Sequence, residues 1–326
     1  MRVITDTGPC EMRSVAFTDD CVIELIDQRK LPWYLSTHRC YNSVETAFAI
    51  REMAVRGAPA IGAAAAYGLA QAWINGEDLD EAESKLRATR PTAMDLFSAI
   101  DEVKRDRDLI DGSRRYVESI VEKCRRIGDH GKKLIEDGMR VLTHCNAGAL
   151  ATVDWGTALA PLRCAKRGGA ELFVWVDETR PRMQGALTSW ELKNEGIDHS
   201  LIVDNAAGYF MGKGEVDLVI VGADRVTRNG DVVNKIGTYE KALLARENEI
   251  PFYVAFPSST IDTGLESGDQ VEIEERGSDE VKEARLEDFK LPLHPGYVRA
   301  RNPAFDITPH DLITGYITED GVKKRI

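Results

Sequence analysis

From Arg140 onward, short apolar runs return at regular intervals: Val141 to Thr143, Leu172 to Val176, Leu201 to Val203, Leu218 to Val221 and Phe252 to Ala255. Helical patterns fill several gaps between them, at about Ala149 to Lys166, Met183 to Glu195 and Thr238 to Glu249. No other feature narrows the possible folds as much. Strands that alternate with helices build a parallel, doubly wound sheet. The runs are apolar throughout instead of alternating, which is the pattern of strands covered on both faces. A later run, Leu312 to Ile317, reads as an edge strand.

The chain before Arg140 has a different rhythm. Ser14 to Phe17 and Val22 to Ile26 read as short strands, and helices follow. Asn42 and Glu45 have capping-box spacing, which opens a helix predicted to reach about Val55. Arg56-Gly57-Ala58-Pro59 then breaks the chain and starts an Ala-rich helix over Ala60 to Trp73. The free N–H groups at that helix start, with Arg56 beside them, suit an anion. A plain helix corner with a solvated Arg56 suits the local sequence slightly better. Arg90-Pro91-Thr92 opens a further helix at about Ala93, and a charged helix covers roughly Ser113 to Glu136. With 326 residues the chain is long for one small core. The expected division is a mainly helical N-terminal domain with a small sheet, residues 1–130, and a C-terminal sheet domain, residues 131–326.

In a parallel sheet the carboxyl ends of the strands share one edge, where ligands bind. Here those ends are polar: Thr143-His144-Cys145-Asn146, Asp177-Glu178-Thr179-Arg180-Pro181, Asp204-Asn205, Gly222-Ala223-Asp224-Arg225 and Pro257-Ser258-Ser259-Thr260. One aspartate after a strand is usually a turn residue. Several polar ends in succession point to a site. Cys145 stands at a strand-to-helix bend, where helix-terminal N–H groups can favour a thiolate. An inert, packed thiol fits the local sequence equally well. His144, one position earlier, falls on the opposite strand face and reads as a structural neighbour.

Composition removes several classes. A net charge of −12 argues against a broad nucleic-acid surface. No apolar run is long enough to span a bilayer, and the first residues lack a signal-peptide core, so a cytoplasmic protein is expected. The six cysteines show no CxxC pairing and read as free thiols. The scattered histidines give no metal motif, and neither GxGxxG nor GxxxxGK[ST] follows a strand, so no metal or cofactor is expected. A thiol and a carboxylate remain, with Arg56, Arg90 and Lys235 as phosphate candidates. That combination suits hydrogen movement on a sugar phosphate.

These residues bring a family into view. Asp27-Gln28-Arg29-Lys30-Leu31-Pro32, VRGAPAIG (55–62), TRPTA (89–93), LTHCNAGALAT (142–152), VDETRP (176–181), DNAAGYFM (204–211), VGADR (221–225), NGDVVNKIGTYE (229–240) and NPAFDITP (302–309) follow one another along nearly the whole chain. Together they resemble the S-methyl-5-thioribose-1-phosphate isomerases, relatives of the α, β and δ subunits of translation initiation factor 2B. The resemblance implies a Rossmann-like C-terminal domain, a homodimer, and an enzyme that turns an aldose 1-phosphate into a ketose 1-phosphate. It implies Cys145 and Asp224 as the catalytic pair. It implies Arg56, Gly57, Ala58, Arg90, Gln184, Asn234 and Lys235 as substrate contacts. Asp224, as the acid that opens the sugar ring, would need an apolar surrounding to stay protonated.

The sequence departs from that pattern once. The family reads QGA, a basic residue, then LTAWEL. Here Gln184-Gly185-Ala186 runs straight into Leu187-Thr188-Ser189-Trp190-Glu191-Leu192. A shortened loop near the substrate is the expectation, and it bears on the sugar's 5-substituent. 5-Deoxyribose 1-phosphate is the rival substrate, and a non-catalytic initiation-factor-like subunit is the rival of another class. The acidic segment Glu272 to Asp288 reads as a solvated loop with a short helix.

Overall fold

The computed structural model describes residues 1–90, 94–286 and 289–326. The expected helix start at Pro91 to Ala93 lies outside them, as do Glu287 and Asp288 of the acidic segment. The chain forms two compact units. One comprises Met1–Arg125 with Ala147–Gly156, and the other Arg126–Asn146 with Thr157–Ile326.

The first unit starts with a hairpin, β1 (Arg2–Thr5) and β2 (Gly8–Glu11). An antiparallel sheet follows, of β3 (Val15–Phe17), β4 (Ile23–Ile26) and β5 (Thr37–Cys40). The hairpin and β5 escape sequence reading because neither alternates cleanly. Helix α1 (Ser43–Arg51) has the expected cap: Asn42 accepts the Glu45 N–H, and Glu45 accepts the Tyr41 N–H. It stops short of Val55 because Met53 turns left-handed, with φ 60°. Helix α2 (Ala58–Asn75) is the centre of this unit, buried continuously from Ala60 to Ala72. Its small side chains let α1, α3 (Leu79–Arg87) and α4 (Met94–Val103) pack closely on it. Buried Ile50, Leu69, Leu86 and Ile100 close the core, each worth about 1.5–3 kcal/mol. Helix α5 (Leu109–Gly131) is charged, yet one face buries Val117, Cys124 and Ile127.

The second unit is built on a seven-stranded sheet. Its members are β6 (Met139–Thr143), β7 (Leu172–Asp177), β8 (Asp198–Ile202), β9 (Leu218–Val221), β12 (Phe252–Ala255), β17 (Gly315–Thr318) and β18 (Gly321–Lys323). They lie in the order β18-β17-β12-β9-β6-β7-β8, all parallel except β18. Val141, Leu142, Val174, Val176, Val219, Val221 and Val254 have no exposed surface, as continuous apolar strands require. The run Leu312 to Ile317 does not form the edge: β17 lies between β12 and β18, and β18 takes the edge. The run at Leu201 begins earlier, at Asp198, because β8 is the opposite edge and tolerates polar residues.

A second sheet orders β13 (Ile261–Asp262), β10 (Arg225–Thr227), β11 (Val232–Lys235) and β16 (Phe305–Thr308). A hairpin of β14 (Glu283–Leu286) and β15 (Phe289–Pro292) follows the short helix Asp279–Lys282. The helical pattern Ala149 to Lys166 is two helices, α6 (Ala149–Thr152) and α7 (Leu159–Arg167). Val153, Trp155 and Gly156 all take positive φ between them, and no helix continues through such a run. Helices α8 (Gln184–Glu195), α9 (Ala207–Gly212) and α10 (Thr238–Glu247) complete the unit.

Candidate active site

Strand order locates the reactive edge. From β6 the chain moves outward through β7 to β8, then returns to β9 on the other side of β6 and moves outward through β12 to β17. The winding reverses between β6 and β9, the topological switch point where such sheets bind ligands. Cys145 follows β6 and Asp224 follows β9. The two strands that carry the expected catalytic pair are therefore the two that flank the switch.

The Cys145 turn is held in detail. Cys145 adopts φ 67°, a left-handed conformation that costs a non-glycine residue about 1–2 kcal/mol. Its N–H donates to Thr179 Oγ1 at 2.9 Å, and its carbonyl accepts from Thr188 Oγ1 at 2.8 Å. Thr179 is fixed in turn: its hydroxyl donates to the Asp177 carbonyl and its N–H to Asp204. Asn146 donates to Thr188 Oγ1 and to Glu191 Oε1. Glu191 pairs with Arg163 in the interior, where both side chains are almost fully buried. Breaking one partner of such a pair would strand a buried charge.

His144, read as a structural neighbour of Cys145, turns into the interior. The alternation ends at Thr143, and the His144 ring is 1% exposed. Its Nδ1 lies 2.9 Å from Asp177 Oδ2, and its Nε2 lies 2.9 Å from the Ile236 carbonyl. Burial pushes the Asp177 carboxyl up, against the opposing pull of His144 and Lys241. Lys241 Nζ, fully buried, lies 3.4 Å from Asp177 and 2.6 Å from Glu240. Burial alone would lower the Lys241 ammonium, but these carboxylates outweigh it and its pKa is raised. His144, Asp177 and Asp204 offer ligand atoms within 4.8 Å of one another. Asp177 Oδ2 is engaged by His144 and Lys241 and Asp204 by the N–H groups of Thr179 and Arg180, while Asp177 Oδ1 is buried without a hydrogen-bond partner. Lys241 supplies the positive charge a cation would bring.

Asp224 differs from its expected setting. It is exposed, and its N–H donates to the Val233 carbonyl. It stands after β9, where the chain turns into β10. Nearby on β11, Asn234 is 5% exposed and donates to Thr238 Oγ1. Lys235 Nζ donates to the Ala304 carbonyl at 2.8 Å and sits 4.4 Å above the Phe305 ring. Lys235 and Gln184 line one recess of about 190 Å³, open to solvent, together with Arg182, Arg276, Glu280 and Asn302. The Gln184 Oε1 is buried there without a protein hydrogen-bond partner.

The segment after Gln184 is a helix, as the pattern over Met183 to Glu195 predicts, and not the shortened loop that the family comparison suggests. Gln184 starts α8, whose buried face carries Leu187, Thr188, Glu191 and Leu192. Each residue of a helix turns it by about 100°, so a residue gained or lost there decides which side chains face the Cys145 turn. Gly185 permits the close start: a Cβ would lie 2.1 Å from the Asp177 carbonyl oxygen.

The other candidates belong to the first unit. Gly57 precedes α2 with φ 95°, and a Cβ there would lie 2.4 Å from Ala151 Cα. Gln28 donates to the Leu150 carbonyl at 2.8 Å and to the Arg56 carbonyl at 3.5 Å. Arg56, Gly57 and Ala58 thus pack with the segment that follows Asn146 in sequence. Arg90 follows α3 and is half-buried. At the fifth polar strand end Ser258 gives its N–H and hydroxyl to Glu319.

Sequence reading missed the residues that support the turn. Thr179 and Thr188 lay within motifs already singled out, so their hydroxyls were a usable signal. The Glu191–Arg163 pair, 28 residues apart, left none.

A model of the initiation factor 2 subunit family matches residues 54–325. The methylthioribose-1-phosphate isomerase of Roseiflexus sp. is 50% identical over 324 residues, covering 91% of each chain. The crystal structure of 5-methylthioribose 1-phosphate isomerase from Pyrococcus horikoshii is 40% identical with a TM-score of 0.87, covering 96% of this chain and 92% of that one. A structure titled translation initiation factor eIF-2B, subunit delta, from A. fulgidus is 44% identical with a TM-score of 0.85, covering 96% of each chain. The chain therefore belongs to the initiation factor 2 subunit family and, at 50% identity along nearly its whole length, to the methylthioribose-1-phosphate isomerases within it.

Proposed function

We propose that this protein converts 5-methylthioribose 1-phosphate to 5-methylthioribulose 1-phosphate, with Cys145 and Asp224 as the catalytic pair. The observation that carries the assignment is the sheet order, in which these two residues follow the two strands that flank the switch point.

The anomeric phosphate locks the ring, so the ring must open first. Asp224 gives a proton to the ring oxygen as its bond to C1 breaks. The Cys145 thiolate takes the C2 proton, which leaves an enol phosphate across C1 and C2. The thiol, whose proton exchanges with water, then protonates C1, and the Asp224 carboxylate recovers its proton from the C2 hydroxyl as the ketone forms. Atoms and charge balance, and no oxidant is needed. In the rival route hydride moves directly from C2 to C1, and Cys145 stabilises the transfer. Turnover in deuterated water separates the two, because only the first places solvent deuterium at C1. Asp224, exposed in the free chain, gains the cover that holds it protonated when substrate closes over it. Arg56, the Gly57 and Ala58 amides, Arg90, Gln184, Asn234 and Lys235 hold the phosphate and sugar. Under the same reading the enzyme works in the cytoplasm as a homodimer, with no metal or cofactor.

The test is NMR of purified protein with each aldose 1-phosphate. A ketone carbon with 5-methylthioribose 1-phosphate is the expected result, with a lower kcat/KM for 5-deoxyribose 1-phosphate. The likeness to the A. fulgidus initiation-factor structure supports a second reading, a subunit that binds a sugar phosphate without turning it over. Binding without a ketone signal would favour that reading.

A further inference from the structure

We infer that His144 is a positioning residue that fastens the Cys145 turn to the end of β11, which carries Asn234 and Lys235, an inference that rests on the catalytic reading above. The ring bridges two segments distant in sequence. On one side is the end of β7, through Asp177; on the other is the Ile236 carbonyl, one residue after Lys235. A carbonyl oxygen only accepts, so Nε2 carries a proton and donates it. The turn that follows β11 is shaped to receive the ring. Gly237 takes φ 101°, and a Cβ there would lie 3.2 Å from the imidazole. Its N–H is held by Asp306, which also accepts the Tyr239 N–H. Lys241, one turn into α10, anchors Asp177 from the same side of the chain.

The consequence is specific to position. Cys145 follows His144 directly, so the held ring tethers the chain next to its left-handed backbone. Lys235 and Asn234 cannot shift without moving the Ile236 carbonyl. One buried imidazole therefore sets the spacing between the residue that moves hydrogen and the residues that hold the sugar phosphate. Strained residues persist only where their surroundings over-determine them, and His144 is the part of those surroundings that reaches the end of β11.

Two variants separate positioning from mere folding. His144→Asn keeps a donor near the Nδ1 position but cannot reach the Ile236 carbonyl; His144→Gln reaches farther. His144→Asn is expected to lower kcat at least tenfold, to raise KM and to change the rate of Cys145 alkylation by iodoacetamide, followed by peptide mapping. His144→Gln is expected to recover KM more than kcat. Both variants folding with wild-type kcat, KM and alkylation rate would overturn the inference. A measurement on the wild-type protein covers the case in which the variants do not fold. The His144 Nε2 proton is expected to exchange slowly and to shift when 5-methylthioribose 1-phosphate is added. An unprotonated Nε2, or a signal blind to the ligand, would sink the idea. If wild-type protein binds the sugar phosphate but makes no ketone, the catalytic reading fails, while the alkylation rate and the Nε2 signal still test the link.

Discussion

The two halves of the proposed catalytic pair are built in opposite ways. Cys145 sits in a strained turn gripped by two threonine hydroxyls, with buried charged networks behind both neighbours. Asp224 stands at the mouth of β9 with its side chain exposed. The difference teaches a division of labour. A group that must meet one carbon within a few tenths of an ångström gains from being fixed before substrate arrives. An acid that must be protonated to act gains from being covered only when substrate arrives. The scaffold specifies the first and leaves the second to the ligand.

Removing either reactive group tests that division most severely. Cys145→Ser and Asp224→Asn should each lower kcat by at least about 100-fold, read by the ketone assay. They should differ in the free protein: Asp224→Asn should leave Tm unchanged, since the carboxylate is exposed. Near-normal turnover in both would end the assignment. Gly57→Ala comes next. It needs a side chain where the Ala151 backbone stands and a φ of 95°, so a loss of about 2–4 kcal/mol is expected in chemical denaturation. Thr179→Val addresses the clamp directly. It strands the Cys145 N–H, at a cost of about 1–3 kcal/mol, and should lower kcat more than it changes KM. An unchanged kcat would mean the thiol does not need its fixed turn.

The smallest effect comes from a contrasting aspartate. Burial alone would raise the Asp231 carboxyl, but the N–H of Gly268, the Asn229 amide and His310 outweigh it and bring its pKa to about 2. A carboxylate depressed in the folded state stabilises above its unfolded pKa, near 4, and that support fades as pH falls toward about 2. Asp231→Asn should flatten the acid limb of the Tm curve between those values and leave kcat near wild type. A large loss of kcat would show that the two aspartates are not so different.

Much of the fold was legible because burial on both faces writes continuous apolar runs. Leu218–Val221 and Phe252–Ala255 begin and end where the sequence says. The errors lie where backbone conformation overrides pattern. The helix expected from Ala149 to Lys166 breaks at positive-φ valine and tryptophan, which no propensity scale anticipates. His144 reads as a structural neighbour of Cys145, but its partners Asp177 and Ile236, 33 and 92 residues away, were not legible. Polar strand ends mark the edge beside the switch point as the candidate region. Which ends cooperate was not legible, since it depends on contacts such as Thr179 with Asp204 and Ser258 with Glu319. The Asp224 carboxyl was expected to be sheltered, and position along a strand says nothing about shelter.

The ten residues from Ala147 to Gly156 belong to the first unit although they follow the first strand of the second. Gly57 is shaped around Ala151, Gln28 around Leu150, and the Ser14 N–H is answered by Val153. A chain emerging from the ribosome therefore cannot finish its first unit until it has also made β6. Synthesis order and assembly order are interleaved, and the thiol turn is threaded between the two halves of that job. A fragment ending at residue 130 would lack its closing piece. Supplying residues 147–156 in trans is the way to learn whether that piece completes the unit or only covers it.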